Sequence, residues 1–229
     1  MYQYETHLHT SPVSKCGRVG VRENLEFYKK AGYAGVFITN HFIDGNMTPC
    51  NGSYADRINF YFSDYEEAAA LSQEIGIDVF CGVEISYKGT DFLIYGLDKQ
   101  WFLAHPEYEA MTIREKLALL RENGALVVQA HPYREAGYID HIRLYPRDVV
   151  AIETYNACRT DLENEMAAIY AKKYDLLPFS GTDNHLGIKR PMLGGMASDT
   201  PLVSEADFID RVLNGTMELI QQPNPLYTE

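Results

Sequence analysis

The chain has 229 residues, of which 46% are hydrophobic, and this length suits one domain with one substantial core. Its formal net charge is −12, so the overall field repels polyanions and disfavours extended nucleic acid as a partner. Four cysteines without CxxC spacing argue against a disulfide scaffold. There is no signal-peptide pattern and no run of the roughly 18 apolar residues that span a bilayer. We therefore expect a cytoplasmic protein that does not bind membranes.

Strand and helix signals alternate along the chain, which is typical of parallel strands joined by crossover helices. The predicted strands are 2–8, 35–39, 78–86, 92–97, 125–130, 149–154, 176–180 and a short one at 218–221. The predicted helices are 21–31, 63–76, 112–123, 162–174 and 205–213, the second and third beginning at capping-box sequences. Seven or so strands with flanking helices predict an α/β fold closed, or nearly closed, into one barrel over residues 1–229.

Two segments are interpreted as irregular. Residues 42–62 contain Gly45, Pro49 and Gly52, and their length suits a loop insertion that covers a substrate. A second segment, after Asp183, contains several glycines and is interpreted as a Gly-rich turn before the last helix.

Residues that commonly bind metals lie at the ends of the predicted strands. His7 and His9 form a His-x-His pair whose alternate side chains leave a strand in the same direction, which offers two imidazoles to one ion. In a parallel barrel the carboxyl ends of the strands meet at one rim. The residues expected there are His7, His9, His41, Glu84, His131, Asp183 and His185. Burying so many titratable groups without metals would be costly, so the sequence predicts a metal site.

The ligand types narrow the chemistry of this site. Imidazoles mixed with carboxylates suit Zn, Mn, Fe or Co better than Ca or Mg. The candidates exceed the needs of one tetrahedral ion, and two ions about 3.5–4 Å apart would share a bridging carboxylate, for which Glu84 is the candidate. Metal binding lowers the pKa of water to roughly 7 in favourable cases, so a metal-bound hydroxide would be the nucleophile. No side-chain nucleophile is expected.

Five short motifs follow one another along the full chain. They are His7-Leu8-His9-Thr10, Ile38-Thr39-Asn40-His41, Gly82-Val83-Glu84-Ile85, Gln129-Ala130-His131-Pro132 and Gly181-Thr182-Asp183-Asn184-His185. Each is weak alone, but the ordered set resembles the PHP (polymerase and histidinol phosphatase) family of metal-dependent phosphoesterases. This resemblance implies a single-domain distorted (β/α)7 barrel with two or three divalent metal ions (Zn, Mn or Fe) at its C-terminal rim.

The resemblance also implies which residues would bind each ion. His7, His9, Glu84 and Asp183 would hold one metal, Glu84 and His131 a second, and His41 with His185 a third.

The chain departs from the family pattern at three points. Asn40 stands where the family usually has an acid. The loop after the first motif usually supplies an Asp or His ligand, but here contains Lys15, which could act as a fixed positive charge, and Cys16, whose thiolate could bind a metal. The fourth strand often carries a His ligand, whereas here only Asp91 or Asp98 is available, and Asp98 at the strand's end is the better placed.

Positive side chains near the rim are expected to hold a phosphate, because Arg grips phosphate with paired hydrogen bonds. Arg159 and Arg18 are the favoured candidates, while Arg134, Lys189 and Arg190 also follow rim elements.

Three functional hypotheses follow. The first is a phosphoesterase that hydrolyses a small phosphomonoester, as a histidinol phosphatase does, or a short nucleotide. The second is a non-catalytic metal-binding regulatory module, suggested by Asn40 and the altered first loop. The third is a metal-dependent hydrolase of a C–N or C–O bond.

Overall fold

A single mixed sheet runs through the molecule, which a computed structural model describes over residues 1–228. Its nine strands in this range are β1 (Tyr2–Leu8), β2 (Gly35–Ile38), β3 (Asp78–Tyr87), β4 (Thr90–Tyr95), β5 (Leu126–Ala130), β6 (Ala151–Asn156), β7 (Leu177–Gly181), β8 (Met192–Ser198) and β9 (Glu218–Pro223). The α-helices are α1 (Val21–Lys30), α2 (Tyr54–Ile75), α3 (Lys99–Ala104), α4 (Ile113–Glu122), α5 (Asp161–Tyr174) and α6 (Glu205–Leu213). The strand order is β7-β6-β5-β4-β3-β2-β1-β8-β9.

The first seven strands curl until β1 and β7 meet. Leu8, at the end of β1, forms a parallel bridge with Asn184, just beyond β7. The Asn184 amide donates to the His7 carbonyl at 3.1 Å, and the His9 amide donates to the Asn184 carbonyl at 3.0 Å. The predicted α/β barrel is therefore confirmed as a nearly closed sheet, with its seam beside His7 and His9.

The barrel is distorted because β4 runs antiparallel to both β3 and β5. Lys88 and Gly89 connect β3 to β4, and their φ angles are both positive, at 51° and 81°. Two such residues are typical of a type I′ hairpin turn, which reverses the chain without a crossover helix. The first residues of β4 consequently lie at the same rim as the last residues of β3.

The segment interpreted as a Gly-rich turn contains strand β8, so that interpretation is wrong for Met192–Ser198. Its glycines permit close packing rather than a turn: a Cβ on Gly194 would lie 2.2 Å from the Gly181 carbonyl oxygen of β7. The Gly194 amide also donates to Thr182 Oγ1 at 2.8 Å. Glycine in a strand often marks such an approach of two backbones.

The predicted loop 42–62 is shorter than expected. Helix α2 begins at Tyr54, where Ser53 and Asp56 form the capping box, and not at the Ser63 cap. Ser63 lies within the helix, where its hydroxyl donates to the Phe60 carbonyl. Residues 42–53 remain outside the helices and strands.

The apolar interior of the barrel lies beneath the rim. Aromatic rings from several strands pack there against Phe208 of α6, including Phe37 at 4.4 Å and Tyr95 at 5.3 Å between ring centroids. Because side chains alternate along a strand, the residues two or four positions away on the same face reach the rim. Pairs of this kind are Phe37 and His41, Phe80 and Glu84, Leu93 and Asp91, and Phe179 and Asp183.

Among residues 1–228, no helix has both the length and the apolar character needed to cross a bilayer.

Replacing Gly194 with Ala should destabilise the fold, because the new methyl group would overlap the Gly181 carbonyl. Overpacking of this kind costs about 1–3 kcal/mol, and occasionally more. Urea unfolding of Gly194→Ala should show the loss, whereas the control Gly137→Ala, whose methyl group meets no atom within 4 Å, should not. Equal unfolding midpoints for the two variants would contradict the packing described.

Candidate metal centre

The structure brings all seven predicted ligands together in one cluster at the rim. All are buried except His185, which is partly exposed. Their ligand atoms form groups whose members lie within 4.8 Å of one another: His7, His9 and Glu84; His7, His131 and Asp183; Glu84, Asp91 and His131; and His9, His41 and His185.

A distortion of β1 turns its two histidines inward. Tyr4 packs in the barrel interior, so strict alternation would turn Thr6 and Leu8 inward as well. The pairing of β1 with β2 instead shifts register between Glu5 and Leu8. An irregularity of this kind re-aims the side chains that follow it. His7 and His9 therefore face the cluster.

Glu153 of β6 orients His7. Its Oε1 lies 2.8 Å from His7 Nδ1, and an ionised carboxylate only accepts, so Nδ1 carries the proton. The Nε2 atom is left facing Glu84 Oε1 at 3.2 Å and Asp183 Oδ1 at 3.6 Å. Burial lowers the pKa of His7, but the carboxylates of Glu153, Asp183 and Glu84 outweigh it and raise the pKa well above its usual value. Such carboxylate–imidazole pairs are common behind metal ligands.

Sequence reasoning missed Glu153. The available signal was a single carboxylate within the buried strand β6. It also accepts hydrogen bonds from the His131 amide at 2.9 Å and from Asn156 Nδ2 at 2.8 Å, so it orients two candidate ligands at once.

His9 presents a lone pair to the cluster for a similar reason. Ser14 Oγ donates its one proton to Asn40 Oδ1 at 2.8 Å, so it accepts from His9 Nδ1, which lies 3.1 Å away. His9 Nε2 is then unprotonated in the neutral ring, and it is buried without a hydrogen-bond partner among residues 1–228.

Two further buried atoms of the cluster, His41 Nδ1 and Glu84 Oε2, have no hydrogen bond within the described chain. They lie 2.5 Å apart but are not aligned for a hydrogen bond. Burial raises the pKa of Glu84, yet the imidazoles of His41, His9 and His7 outweigh it and hold the pKa well below its usual value. Unsatisfied buried atoms are costly, and a divalent ion would satisfy them. The donor set therefore fits metal ions.

A cavity of about 550 Å³ opens from this cluster. Arg134, Arg159 and Arg190 line it, whereas Arg18 is exposed and lies outside the lining. Arg134 is paired with Asp91 at 3.0 Å, but Arg159 and Arg190 form no salt bridge with any residue between 1 and 228, and the Nε of each is buried and unpaired. Two uncompensated guanidinium groups beside the ligands suit an anionic substrate. Of the two favoured candidates, Arg159 lines the cavity and Arg18 does not.

Several solved structures share this fold. A two-domain protein from Bacteroides vulgatus that contains a predicted PHP-like metal-dependent phosphoesterase superposes with a TM-score of 0.71 at 13% identity, over 96% of this chain and 64% of that one. The chain therefore spans less than two thirds of that protein. The chain has a PHP-like fold.

Two further structures agree with this fold. A proposed metal-dependent phosphoesterase from Bifidobacterium adolescentis has a TM-score of 0.55 at 16% identity, over 93% of this chain and 96% of that one. An amidohydrolase from Chromobacterium violaceum, with bound sulfate and no metal, has a TM-score of 0.57 at 14% identity, over 94% and 97%. No family model matches the sequence, and the comparison with curated proteins gives no match.

The acid of the fourth strand in this PHP-like barrel is Asp91, so the preference for Asp98 is wrong. Because β4 runs antiparallel, its beginning lies at the rim and its end lies away from it. Asp91 is buried, with Oδ2 3.8 Å from His131 Nε2. Asp98 is exposed and caps α3 by accepting from the Trp101 amide at 2.8 Å.

In the first loop, Cys16 and not Lys15 faces the cluster. The Gly17 amide donates to the Ser14 carbonyl at 3.0 Å, which forms a turn. Cys16 of this turn lines the cavity, whereas Lys15 is exposed. Burial raises the pKa of the Cys16 thiol, but hydrogen bonds with His185 and His41 outweigh it and lower the pKa to about 6.

Asp64 of α2 pairs with Asn40, the amide that stands where the family usually has an acid. Asn40 Oδ1 accepts from the Thr10 amide at 2.7 Å, and its Nδ2 donates to Asp64 Oδ2 at 3.1 Å. Asp64 Oδ2 also accepts from Thr10 Oγ1 at 2.7 Å. A carboxylate thus lies beside the motif, but it comes from a helix. The sequence gives no sign of this role, because the predicted helix begins at Ser63 and Asp64 then lies in its first turn, whereas in the structure Asp64 lies on the buried face of α2.

We expect Asn40→Asp to destabilise the protein, because two carboxylates would then face each other in a buried site where an amide now donates. An unmade buried hydrogen bond costs about 1–3 kcal/mol. The double variant Asn40→Asp with Asp64→Asn should recover part of this loss, since it exchanges donor and acceptor. A double-mutant cycle from urea unfolding measures the coupling, and strictly additive losses would contradict the pairing.

Proposed function

We propose that this protein is a metal-dependent phosphoesterase that acts on a small phosphomonoester or a short nucleotide. The observation that carries the proposal is the buried cluster of seven candidate ligands opening onto a cavity of about 550 Å³ that Arg159 and Arg190 also line. A cavity of this size suits a small molecule rather than a polymer. The phosphoesterase assignments of two fold neighbours support the same chemistry.

The proposed ligands of the first ion are His7, His9, Glu84 and Asp183, and those of the second are Glu84, Asp91 and His131. Glu84 belongs to both sets and is the candidate bridge. When bound, such ions supply Lewis acidity and lower the pKa of a coordinated water.

The chain's own groups would orient the substrate and keep the reacting atoms apart from bulk water. Arg159 and Arg190 would hold the phosphoryl oxygens through charge-assisted hydrogen bonds. Cys158 also lines the cavity, but its thiol donates to the Asp183 carbonyl and burial raises its pKa, so it stays neutral. It is therefore a poor candidate for a side-chain nucleophile.

Hydrolysis of a C–N bond is the second candidate, because a neighbour of the same fold is an amidohydrolase. The two unpaired arginines in the cavity favour the phosphoester.

The Glu84→Gln variant tests the metal centre. The wild-type protein should bind about two or more Mn, Fe or Zn ions per chain and release phosphate from simple esters. The variant should lose metal and fall in kcat by about 100-fold or more, since metal-ion catalysis contributes several kcal/mol. Metal analysis and phosphate release measure both effects, with Glu107→Gln at an exposed site as the control. Full metal content and full turnover in Glu84→Gln would refute the proposed site.

A matched pair of arginine variants tests the anion site. Arg159→Ala should lower kcat/KM for phosphoesters by about 10- to 100-fold, because a hydrogen bond to a charged group contributes roughly 1.5–3 kcal/mol. Arg18→Ala should leave it unchanged, since Arg18 is exposed and outside the cavity lining. Assays with phosphoester, amide and lactone substrates compare the reactions. Turnover of amides alone, with no effect of Arg159→Ala, would favour the second candidate.

A further inference from the structure

An exposed tyrosine lies at the mouth of the cavity. Tyr138, in the loop between β5 and β6, is 67% exposed and yet lines the cavity that opens from the candidate ligands. Among residues 1–228, it is the only aromatic residue other than histidine in that lining. Tyr174 of α5 is similarly exposed but lies outside it. The Tyr138 ring therefore offers free apolar surface to a molecule that fills the outer cavity.

Arg134 connects Tyr138 to the candidate metal ligands. One terminal nitrogen of its guanidinium group donates to Asp91 Oδ2 at 3.0 Å, and the other donates to the Tyr138 hydroxyl. The guanidinium carbon lies 5.5 Å from the centroid of the tyrosine ring. Asp91 belongs to the ligand group that contains Glu84 and His131. One guanidinium group thus separates the hydroxyl of Tyr138 from a candidate ligand.

The loop that carries Tyr138 is fixed on the hairpin between β3 and β4. A Cβ on Gly89 would lie 2.7 Å from Ile139 Cγ1, so Ile139 packs directly on the hairpin. Arg143 Nη1 donates to the Lys88 carbonyl at 3.0 Å. The ring is therefore held at the cavity before a substrate binds, which reduces the entropy lost on binding.

The rest of the outer cavity is polar. Asn46, Ser86 and Lys88 line it together with Tyr138. Loop 42–53 approaches the hairpin closely here, since a Cβ on Gly45 would lie 2.8 Å from Ser86 Oγ. A saturated apolar group would bury these polar side chains without partners, which is costly. A heteroaromatic ring instead presents an apolar face for stacking and polar atoms at its edge.

We propose that the outer cavity binds a flat heteroaromatic ring on the alcohol part of the substrate, and that Tyr138 stacks on this ring and selects for it. A phosphoryl group held by Arg159 and Arg190 leaves the alcohol part of the ester in the outer cavity, where Arg134 and Tyr138 lie. The substrate class is then a small phosphomonoester of an alcohol that carries such a ring. This inference rests on the proposed function, and it gives Tyr138 a role in specificity rather than in the chemical step.

Three esters of similar size test the stacking: pyridin-3-ylmethyl, benzyl and cyclohexylmethyl phosphate, assayed with the metal-loaded full-length protein. Tyr138→Ala should lower kcat/KM for the two aromatic esters by about 5- to 150-fold, the effect of losing one stacked ring, and change it for the saturated ester by less than about twofold. Comparing each variant with the wild type on the same ester cancels differences between the leaving groups. Tyr174→Ala is the matched control and should leave all three values unchanged.

Two conservative variants separate stacking from support of the loop. Tyr138→Phe keeps the flat ring and should retain the aromatic preference, whereas Tyr138→Leu keeps apolar bulk and should lose it. A preference that survives in Tyr138→Leu, or equal losses for the three esters in Tyr138→Ala and Tyr138→Phe, would overturn the role of Tyr138 while leaving the proposed function standing, as would turnover of aliphatic esters alone. Absence of phosphate release from every ester would overturn both.

Discussion

Glu84 is a buried carboxylate surrounded by four imidazoles, and the barrel rim is arranged around it. Its oxygens lie 2.5 Å from His41 Nδ1, 3.2 Å from His7 Nε2, and 3.5 Å from both His9 Nε2 and His131 Nε2. A buried charge without partners would be strongly destabilising. Strands that end at the rim therefore bring side chains to within a few ångströms of this carboxylate, and at three of the strand ends the backbone deviates from regular geometry.

These deviations lie at the strand ends. The register of β1 shifts just before its histidines, and the backbone is left-handed at His131, with φ of 25°, and at Asp183, with φ of 58°. Left-handed backbone in residues other than glycine costs on the order of 1–3 kcal/mol and persists only when its surroundings enforce it. Here the Glu153 carboxylate fixes the His131 amide, and the Leu8–Asn184 bridge fixes the chain next to Asp183. The same contacts that close the barrel thus hold the candidate ligands in position.

The sequence predicts the residues that strand alternation brings to the rim, and it fails where direction or register must be known. The sequence favours Asp98 over Asp91 wrongly, because the choice depends on the reversed direction of β4. It predicts too late a start for helix α2, because Ser53 and Ser63 each begin a capping-box pattern, and only the burial of Ile58 and Phe62 in the core decides between them. Glu153 and Asp64 act behind the cluster, through contacts between residues far apart in sequence. No local pattern encodes such contacts.

Each departure from the family pattern has a counterpart in the structure. Asn40 lacks the family's charge, but it donates to Asp64, so the acid is retained on α2. The first loop lacks the family's Asp or His, but its turn places Cys16 in the lining of the same cavity as His41 and His185. The fourth strand lacks a histidine, but Asp91 lies in the same group as Glu84 and His131. A degraded site would keep its backbone and lose its polar partners, whereas here unpaired ligand atoms remain buried at the centre. Since such atoms are destabilising without a ligand, their retention favours a cluster that still binds metal.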